Sequence, residues 1–322
     1  MNETRGPVHV IGIDVGGTKT AAGIATLPGG QMFSRRTIPT DPQRGGRAVL
    51  DDVCKLAVEL REEASVRGQR IALLGLGICE LVNREGQVAS ANCIQWLNEP
   101  VCEELNAIAP AFLEADVRAA ALAESVLGAG RNLGSFLYIT IGTGISCCLM
   151  QQGEPFLGAH GATGTMASSP LSNECPQCHH RHERTLEEIA SGPALVAGFK
   201  TRGGKAVRGH DVLAAAMAGD GAALEVIRAA SEALGGQVGL LVNTLDPEAV
   251  IVGGGLGLSE GPYWDSFIGS TRRHIWSAGL RELPIVRAAT GADAGWLGAA
   301  VAAWRRGERA GSDVATGCDV WD

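Results

Sequence analysis

The sequence is poor in aromatic residues and has no excess of basic charge. Only 4% of its 322 residues are Phe, Trp or Tyr, and 27 Lys and Arg side chains stand against 35 Asp and Glu, a formal net charge of −8. Nucleic-acid binding needs a basic face and, for single strands, aromatic stacking platforms. Because both are lacking, nucleic acid is not an expected partner.

Long apolar runs are missing near the amino end, and the cysteines follow no regular spacing. The opening MNETRGPVHVIGIDVGG reaches only a short apolar run before two glycines, unlike a secretory signal or a membrane span. The nine cysteines lack the spaced framework of small secreted domains. We therefore expect a cytoplasmic protein with reduced thiols and no membrane partner.

The apolar pattern predicts a mixed α/β chain with an internal duplication. Residues 9–24 and 136–150 each place two β-prone runs about a glycine turn. Helical spacing of apolar residues over 49–60, a strand-like run at 71–78 and a long amphipathic segment at 222–245 complete the pattern. The length favours two domains.

Both hairpin turns contain residues suited to phosphate binding. The first joins two strands, so it is not a Walker loop, which opens a helix. Glycines let backbone N–H groups approach phosphate, threonine adds a hydroxyl donor, and Asp14 is placed to hold magnesium through water. The candidate nucleotide-binding residues are Asp14, Gly16, Gly17, Thr18, Lys19, Thr140, Gly142, Thr143, Gly144, Gly254 and Gly255.

Each glycine turn alone is also ordinary hairpin chemistry. The argument rests on their number, since a third glycine run at 253–255 follows another buried strand-like segment. Three such turns at strand ends are what a nucleotide held between two halves requires. The sequence therefore favours an ATP site with magnesium.

These motifs resemble those of the ROK family of sugar kinases and repressors, which has the actin-like ATPase fold, a duplicated ribonuclease H-like α/β architecture. IGIDVGGTKTAAGI resembles the family's first phosphate motif, ITIGTGISCCL its second and NTLDPEAVIVGGG its adenosine-side motif, within a match over about 11–304. The resemblance implies a domain of residues 1–117, a domain of residues 118–301, and a helix from about 302–322 packing back on the first.

The resemblance also bears on partners. Repressors of the family carry a DNA-binding domain before the first motif, and no room for one is expected ahead of Asp14. Family members are often dimers or tetramers, so a homodimer or homotetramer is expected, with ATP and a small sugar or cyclitol bound in the cleft.

Asp116 occupies the position of the catalytic base that the resemblance implies. ADVRAAALAE at 115–124 resembles the family segment NDANAAALGE, whose aspartate takes the proton from a sugar hydroxyl. From the residues alone, capping of the following helix is the favoured role of Asp116. The two roles are compatible.

The resemblance fails at substrate-facing positions. The family signature GAAGEIGH reads GATGTMAS here, so Thr165 replaces a glutamate and Ser168 a histidine, and the family's Pro-Gly is Cys79-Glu80. Hydroxyls lack the charge-assisted acceptor that reads a glucose 1,2-diol. We therefore expect a kinase with a non-standard substrate. The implied substrate residues are Glu80, Asn92, Ala115, Asp116, Thr165, Ser168 and Glu187.

Several substrates and roles stay open at this point. Glu80 is able to pair with the amine of a 3-amino hexose such as kanosamine, or to be a solvated loop residue. A seven-carbon cyclitol, ordinary glucose and a sensor without turnover are the alternatives. Arg118, in place of a small polar family residue, either reaches phosphate or faces solvent.

A Cys/His-rich segment, NECPQCHHRHERT at 173–185, has zinc-ligand residue types. Cys175, Cys178, His180 and His182 are the candidate ligands of a structural zinc ion. Thr185 and Ser168 stand where the family's third cysteine and its histidine would be, so a loop without metal is the alternative.

Overall fold

The computed structural model describes residues 6–174, 179 and 181–315. They form two compact α/β units. Unit 1 comprises residues up to 131, residues 157–162 and residues from 293 onward, and unit 2 comprises residues 132–156 and 163–292. Among the described helices, none is long and apolar enough to cross a membrane.

The elements follow in chain order. The strands are β1 Val8–Val15, β2 Lys19–Leu27, β3 Gln31–Pro39, β4 Ile71–Ile78, β5 Ala111–Ala115, β6 Ser135–Ile141, β7 Ile145–Gln151, β8 Glu154–Pro155, β9 Pro170–Glu174, β10 Arg181–Thr185, β11 Val250–Gly253 and β12 Ile285–Arg287. The helices are α1 Gly46–Val66, α2 Val101–Asn106, α3 Asp116–Leu127, α4 Glu187–Ala190, α5 Gly192–Lys200, α6 Gly209–Met217, α7 Gly221–Leu245, α8 Pro262–His274 and α9 Ala294–Ala315.

The two units contain the same sheet. In unit 1 the strand order is β3-β2-β1-β4-β5, and in unit 2 it is β8-β7-β6-β11-β12. In both, the first three strands are antiparallel and the last two run parallel to the central one. The duplication expected from the hairpins at 9–24 and 136–150 is confirmed.

The predicted helices and strands form where the apolar spacing places them. Helix α1 buries one face, including Val49, Val53 and Leu60, and β4 occupies the strand-like run at 71–78. Helix α7 begins after Asp220, whose carboxylate accepts the Ala223 N–H at 2.9 Å, and ends at residue 245. Local capping and periodicity therefore account for these elements.

Helix α9 packs against the rest of unit 1 with almost no side chain between the backbones. A Cβ atom at Gly12 would lie 1.9 Å from the Trp296 carbonyl oxygen, and one at Gly298 would lie 1.8 Å from that of Ala119. The glycines let α9 begin at Ala294, well before the expected position near 302.

The observed units also differ from the expected domains of residues 1–117 and 118–301. Helix α3 belongs to unit 1, because β5 leads directly into it and α9 packs on it. The chain returns to unit 1 at residue 293 and also contributes residues 157–162 to it.

Candidate active site

Two aspartates lie at one edge of the unit 1 sheet. Strands β1, β4 and β5 are parallel, so their carboxyl ends meet at that edge. Asp14 is next to last in β1, and Asp116 directly follows β5 as the first residue of α3. This edge is where parallel α/β sheets place their ligands.

Burial sets the protonation of both carboxyl groups. It raises the pKa of Asp14 to about 7, with the charge of Asp116 adding to the effect and Lys19 opposing it. Burial also raises the pKa of Asp116 to about 6, opposed by the Val117 N–H and by Arg118. Two carboxyl groups with raised pKa values at one sheet edge are typical of a catalytic site.

Asp116 does not act as the N-cap of α3. The N-cap position belongs to Ala115, which makes no side-chain capping bond, and Asp116 is the first helical residue. Its Oδ1 accepts the N–H of the adjacent Val117 at 2.6 Å. Asp116 thus accepts one free N–H group of the first turn of α3, but from the first helical position and not from the N-cap position.

Asp14 has the geometry of a cation-binding carboxylate. Its Oδ1 is buried and accepts no hydrogen bond from any residue that the structure describes. Helix α9 reaches it through Gly295, where a Cβ atom would lie 2.2 Å from Asp14 Oδ2. An orphaned anionic oxygen fits magnesium or a water molecule bound to it. Gly295 was not singled out from the sequence, although it lies inside GADAGWLGAA.

The first hairpin turn is closed by its own backbone. The Gly16 N–H donates to the Lys19 carbonyl oxygen at 3.1 Å, and the Thr40 N–H donates to that of Thr18 at 3.2 Å. Thr18 and Lys19 are exposed. A Cβ atom at Gly17 would lie 2.8 Å from Cys93 Sγ, so glycine permits a close approach there.

Glu80 is buried, with 5% of its surface exposed. Its carboxylate accepts the N–H groups of Asn92 at 2.9 Å, Cys93 at 2.5 Å and Ile94 at 2.8 Å, and also the Ser90 hydroxyl. Burial alone would raise the pKa of Glu80, but these hydrogen bonds together outweigh burial and lower it. The interpretation as a solvated loop residue is wrong.

Glu80 thus organises the 79–94 loop, the segment that follows β4. The observed partners of its carboxylate are all groups of this loop, which gives the pairing with a substrate amine no support. Asn92 is exposed at the loop surface, and Ala115 is buried beside Asp116.

Arg118 neither reaches outward to phosphate nor faces solvent. It is 2% exposed and donates to Glu114 Oε1 at 2.6 Å, the Val82 carbonyl oxygen at 2.7 Å and the Gly161 carbonyl oxygen at 2.7 Å. Both expectations for Arg118 are wrong. Glu114 lies in β5 and Arg118 in α3, so the spacing rule for side-chain pairs within a helix gave no signal for this pair.

In unit 2, the second hairpin turn lies between β6 and β7. The Gly142 N–H donates to the Gly144 carbonyl oxygen at 2.9 Å, and the Gly192 N–H donates to that of Gly142 at 2.8 Å. Glu187 Oε2 accepts the Ile145 N–H at 3.0 Å. Glu187, assigned to the substrate from the resemblance, is observed bracing this turn, while Thr143 is exposed at its tip.

The glycine run after β11 lies beside the second turn. Because β11 and β6 are neighbours, Gly253 stands next to Thr140 in the register. Gly254 has φ 79°, and a Cβ atom there would lie 2.4 Å from the Ile141 carbonyl oxygen, so only glycine fits. His210, which sequence reasoning missed, has Nε2 3.2 Å from the Gly255 carbonyl oxygen.

Thr165 and Ser168 are both exposed in unit 2. Ser168 Oγ donates to the Thr165 carbonyl oxygen at 2.8 Å. The segment is fixed at Gly164, whose φ is 87° and where a Cβ atom would lie 1.8 Å from the Cys147 carbonyl oxygen. Both side chains are thus short and end in a hydroxyl group, and the backbone that carries them is fixed.

The zinc prediction remains a prediction. Cys175, Cys178 and His180, together with the side chain of His182, lie outside the described residues. Within the described part of the chain, no group of three or more His, Cys, Asp or Glu side chains is arranged to hold a metal ion.

Comparison with known proteins agrees with this architecture. Residues 10–306 match the ROK family. The glucokinase of Streptomyces coelicolor is 28% identical over 312 residues, covering 90% of this chain and 96% of its own. The ROK hexokinase structure from Thermus thermophilus is 32% identical with a TM-score of 0.75, covering 94% of this chain and 100% of that one. The ROK family glucokinase from Streptomyces griseus, solved with glucose and AMPPNP, is 27% identical with a TM-score of 0.79, covering 93% and 100%.

The match over most of its length shows that this chain belongs to the ROK family. Its two sheets form the actin-like ATPase fold of the ROK sugar kinases. Its enzyme class is that of the carbohydrate kinases.

Proposed function

We propose that this protein transfers the γ-phosphoryl group of ATP, with magnesium, to the primary hydroxyl of a hexose-like polyol. The observation that carries the proposal is the pair of carboxyl groups, Asp14 and Asp116, at one edge of the unit 1 sheet. A non-catalytic sugar or nucleotide sensor needs no cation-binding carboxylate and base together, so the pair favours an enzyme.

Asp116 serves as the base. A pKa of about 6 leaves it mostly ionised at neutral pH, yet basic enough to accept the proton of the attacking hydroxyl. The Val117 N–H orients its Oδ1, and we assign its Oδ2 to that hydroxyl. Phosphoryl transfer demands mainly positioning and charge stabilisation, which one oriented carboxylate suits.

Asp14 and the glycine turns would hold the nucleotide. Magnesium, when bound, would neutralise charge on the phosphate oxygens, and the orphaned Asp14 Oδ1 fits a cation or its water. Thr18 and Thr143 expose hydroxyl donors at the two turns, and Gly254 gives the backbone a conformation open only to glycine. These features support ATP as the donor.

We infer that the substrate differs from glucose at the end that family members read with glutamate and histidine. Thr165 and Ser168 offer neutral hydroxyls there. Since Glu80 is engaged by its own loop, the structure supports no recognition of an amino sugar such as kanosamine through Glu80. A seven-carbon cyclitol, which lacks the hemiacetal oxygens, is the candidate that two neutral hydroxyls favour.

The test is ADP release with magnesium-ATP over a panel of polyols. The panel contains glucose, mannose, N-acetylglucosamine, N-acetylmannosamine, kanosamine and a valiolone-type cyclitol. Asp116→Asn is run beside the wild type, with Asp265→Asn as a matched control because Asp265 is exposed on α8 in unit 2. We expect Asp116→Asn to lose about 10²- to 10⁴-fold in kcat, and the control to keep its rate.

The outcomes separate the possibilities. Turnover of the cyclitol with little on glucose supports the substrate inference. Preference for kanosamine would restore an amine-binding role near Glu80, and strong turnover of glucose would show that Thr165 and Ser168 replace the charged pair without loss. Binding of AMPPNP with no turnover on any member would favour the sensor.

A further inference from the structure

Two buried charged side chains connect the 79–94 loop to the helix that carries the base. Both stand where the chain departs from the family pattern, and the observed partners of both are groups of the protein. The first, Glu80, gathers three consecutive backbone N–H groups, at residues 92, 93 and 94, onto one carboxylate. It thereby folds the last residues of the loop against the first.

Ser90 closes the same arrangement. Its hydroxyl donates to Glu80 Oε2 and accepts the Leu81 N–H at 2.8 Å. The Ala89 N–H donates to the Leu81 carbonyl oxygen at 2.7 Å. The loop is therefore a folded unit whose centre is a carboxylate, with Asn92 exposed on it.

The second side chain, Arg118, ties this loop to two other positions in unit 1. Its guanidinium reaches Glu114, which lies two residues before Asp116 in the chain, while Arg118 lies two residues after it. The same group donates to the carbonyl oxygens of Val82 in the loop and Gly161 in the 157–162 segment.

The residues around the Arg118 guanidinium are tightly packed. Gly161 has φ 73°, and a Cβ atom there would lie 2.6 Å from the Val82 carbonyl oxygen. Glu114 Oε2 accepts from Arg306 at 3.0 Å, so both its oxygens have cationic partners. Well-packed apolar residues in place of buried ion pairs are often equally or more stabilising, so stability alone does not account for this set of charges.

We propose that Glu80 and Arg118 are positioning residues for phosphoryl transfer. Glu80 shapes the 79–94 loop that presents Asn92 to the substrate, and Arg118 fixes this loop to the helix that bears Asp116. The inference rests on the proposed function. Neither residue contacts the reacting atoms; each acts through another residue.

The two residues predict different kinetic effects. Glu80→Gln puts an amide NH₂ against backbone N–H donors, so the loop loses its shape, and we expect KM for the polyol to rise about tenfold with a smaller change in kcat. Arg118→Gln removes the bonds to Val82 and Gly161, so the base shifts from the loop. A misplacement of about 1 Å costs about 10²-fold in rate, and we expect that loss mainly in kcat.

The experiment measures kcat and KM for the polyol that the wild type turns over best. Glu80→Gln and Arg118→Gln are compared with Glu85→Gln, an exposed carboxylate in the same loop, and with Arg131→Gln, exposed beyond α3. AMPPNP titration and thermal melting show that each variant is folded. Glu80→Asp and Arg118→Lys, which keep the charge, are expected to recover part of the lost KM and kcat.

The inference is overturned if folded Glu80→Gln has the KM of Glu85→Gln and folded Arg118→Gln has the kcat of Arg131→Gln. If Arg118→Gln does not fold, Arg118→Lys decides: a kcat intermediate between wild type and Asp116→Asn supports the inference, and an unchanged kcat overturns it. A wild type inactive on every polyol would count against the proposed function itself, whereas an active wild type with unaffected variants overturns this inference alone.

Discussion

The two units share one sheet topology but differ in what they bury. Asp14 in β1 and Thr140 in β6 occupy equivalent places, IDVGGT in one hairpin and ITIGTG in the other. Among the described residues, the charged side chains that are at most 5% exposed all lie in unit 1: Glu80, Glu114, Arg118 and Glu124. The buried polar groups described in unit 2 are Ser191, Ser231, Ser270 and Thr271.

This difference shows how a duplicated scaffold divides its tasks. A glycine turn between antiparallel strands can bind phosphate with backbone groups, and both copies retain it. Acid–base chemistry needs carboxyl groups in a buried setting, which only adjacent charges and hydrogen bonds can stabilise. Unit 1 carries that arrangement, while unit 2 holds an apolar core beneath its turns.

The largest expected effect compares the equivalent residues Asp14 and Thr140. Asp14→Asn removes the orphaned anionic oxygen, and because a bound metal supplies several kcal/mol of charge stabilisation, kcat/KM with magnesium-ATP should fall about 10³-fold. Thr140→Val should lower it by less than about tenfold. Steady-state assays over a magnesium series check both, and equal losses would contradict the difference expected between the two residues.

The next prediction compares the free energy of unfolding that is lost when one buried polar side chain is removed from each unit. Arg118→Ala leaves Glu114 Oε1 with only the Ala115 N–H and removes the Arg118 donors from two carbonyl oxygens. It should lower the free energy of unfolding by about 3–5 kcal/mol. Ser231→Ala removes hydroxyl bonds to Ile227 and Tyr263 and should cost about 1 kcal/mol.

Urea denaturation followed by circular dichroism measures both changes. A loss for Arg118→Ala no larger than that for Ser231→Ala would remove the contrast between the two units.

A pH profile tests the protonation of the base. Asp116 accepts a proton only when ionised, and its pKa of about 6 in the free enzyme reflects burial and the charge of Glu80, opposed by the Val117 N–H and Arg118. We expect kcat/KM to fall about tenfold per pH unit as the pH drops below about 6. Because Arg118 lowers the pKa of Asp116, Arg118→Gln should move this fall in kcat/KM to higher pH. An unchanged pH profile would show that Arg118 does not influence the protonation of Asp116.

The smallest effect concerns the stability of the nucleotide-free protein. The pKa of Asp116 is raised from 3.8 to about 6, so between these pH values the folded state binds more protons than the unfolded state. This carboxyl group therefore destabilises the fold increasingly as the pH rises from about 4 to above 6. Asp116→Asn should melt a few degrees above wild type at pH 7.5 and closer to it at pH 5. A constant difference between the two melting curves would contradict this.

The sequence was sufficient for the elements and for the two glycine hairpins. Apolar periodicity predicted α1, β4 and α7, and the two glycine hairpins predicted the duplication, because these signals are local. The start of α9 was missed, since Gly295 and Gly298 weaken a helix by propensity. Only the structure shows that their small size serves contact with Asp14 and Ala119.

The candidate site was predictable where position in a motif fixes position in the fold. Asp14 and Asp116 stand at the ends of β1 and β5, so parallel pairing alone brings them together. Glu80 and Arg118 were not predictable, because their partners are backbone groups far along the chain. A sequence shows a charge but not the carbonyl or amide groups that fold around it.

The close contact of α9 has a consequence for synthesis on the ribosome. Residues 132–156 and 163–292 contain all of unit 2, so its core can form as soon as residue 292 has emerged. Unit 1 is synthesised first, but its fold needs α9 packed against β1 and β4. There the α9 backbone lies directly on glycines of the two strands, and no other side chain fills that place. The unit that carries Asp14 and Asp116 is thus the last to become complete. Nascent chains stopped before residue 294 should hold a folded unit 2 and an unfinished unit 1.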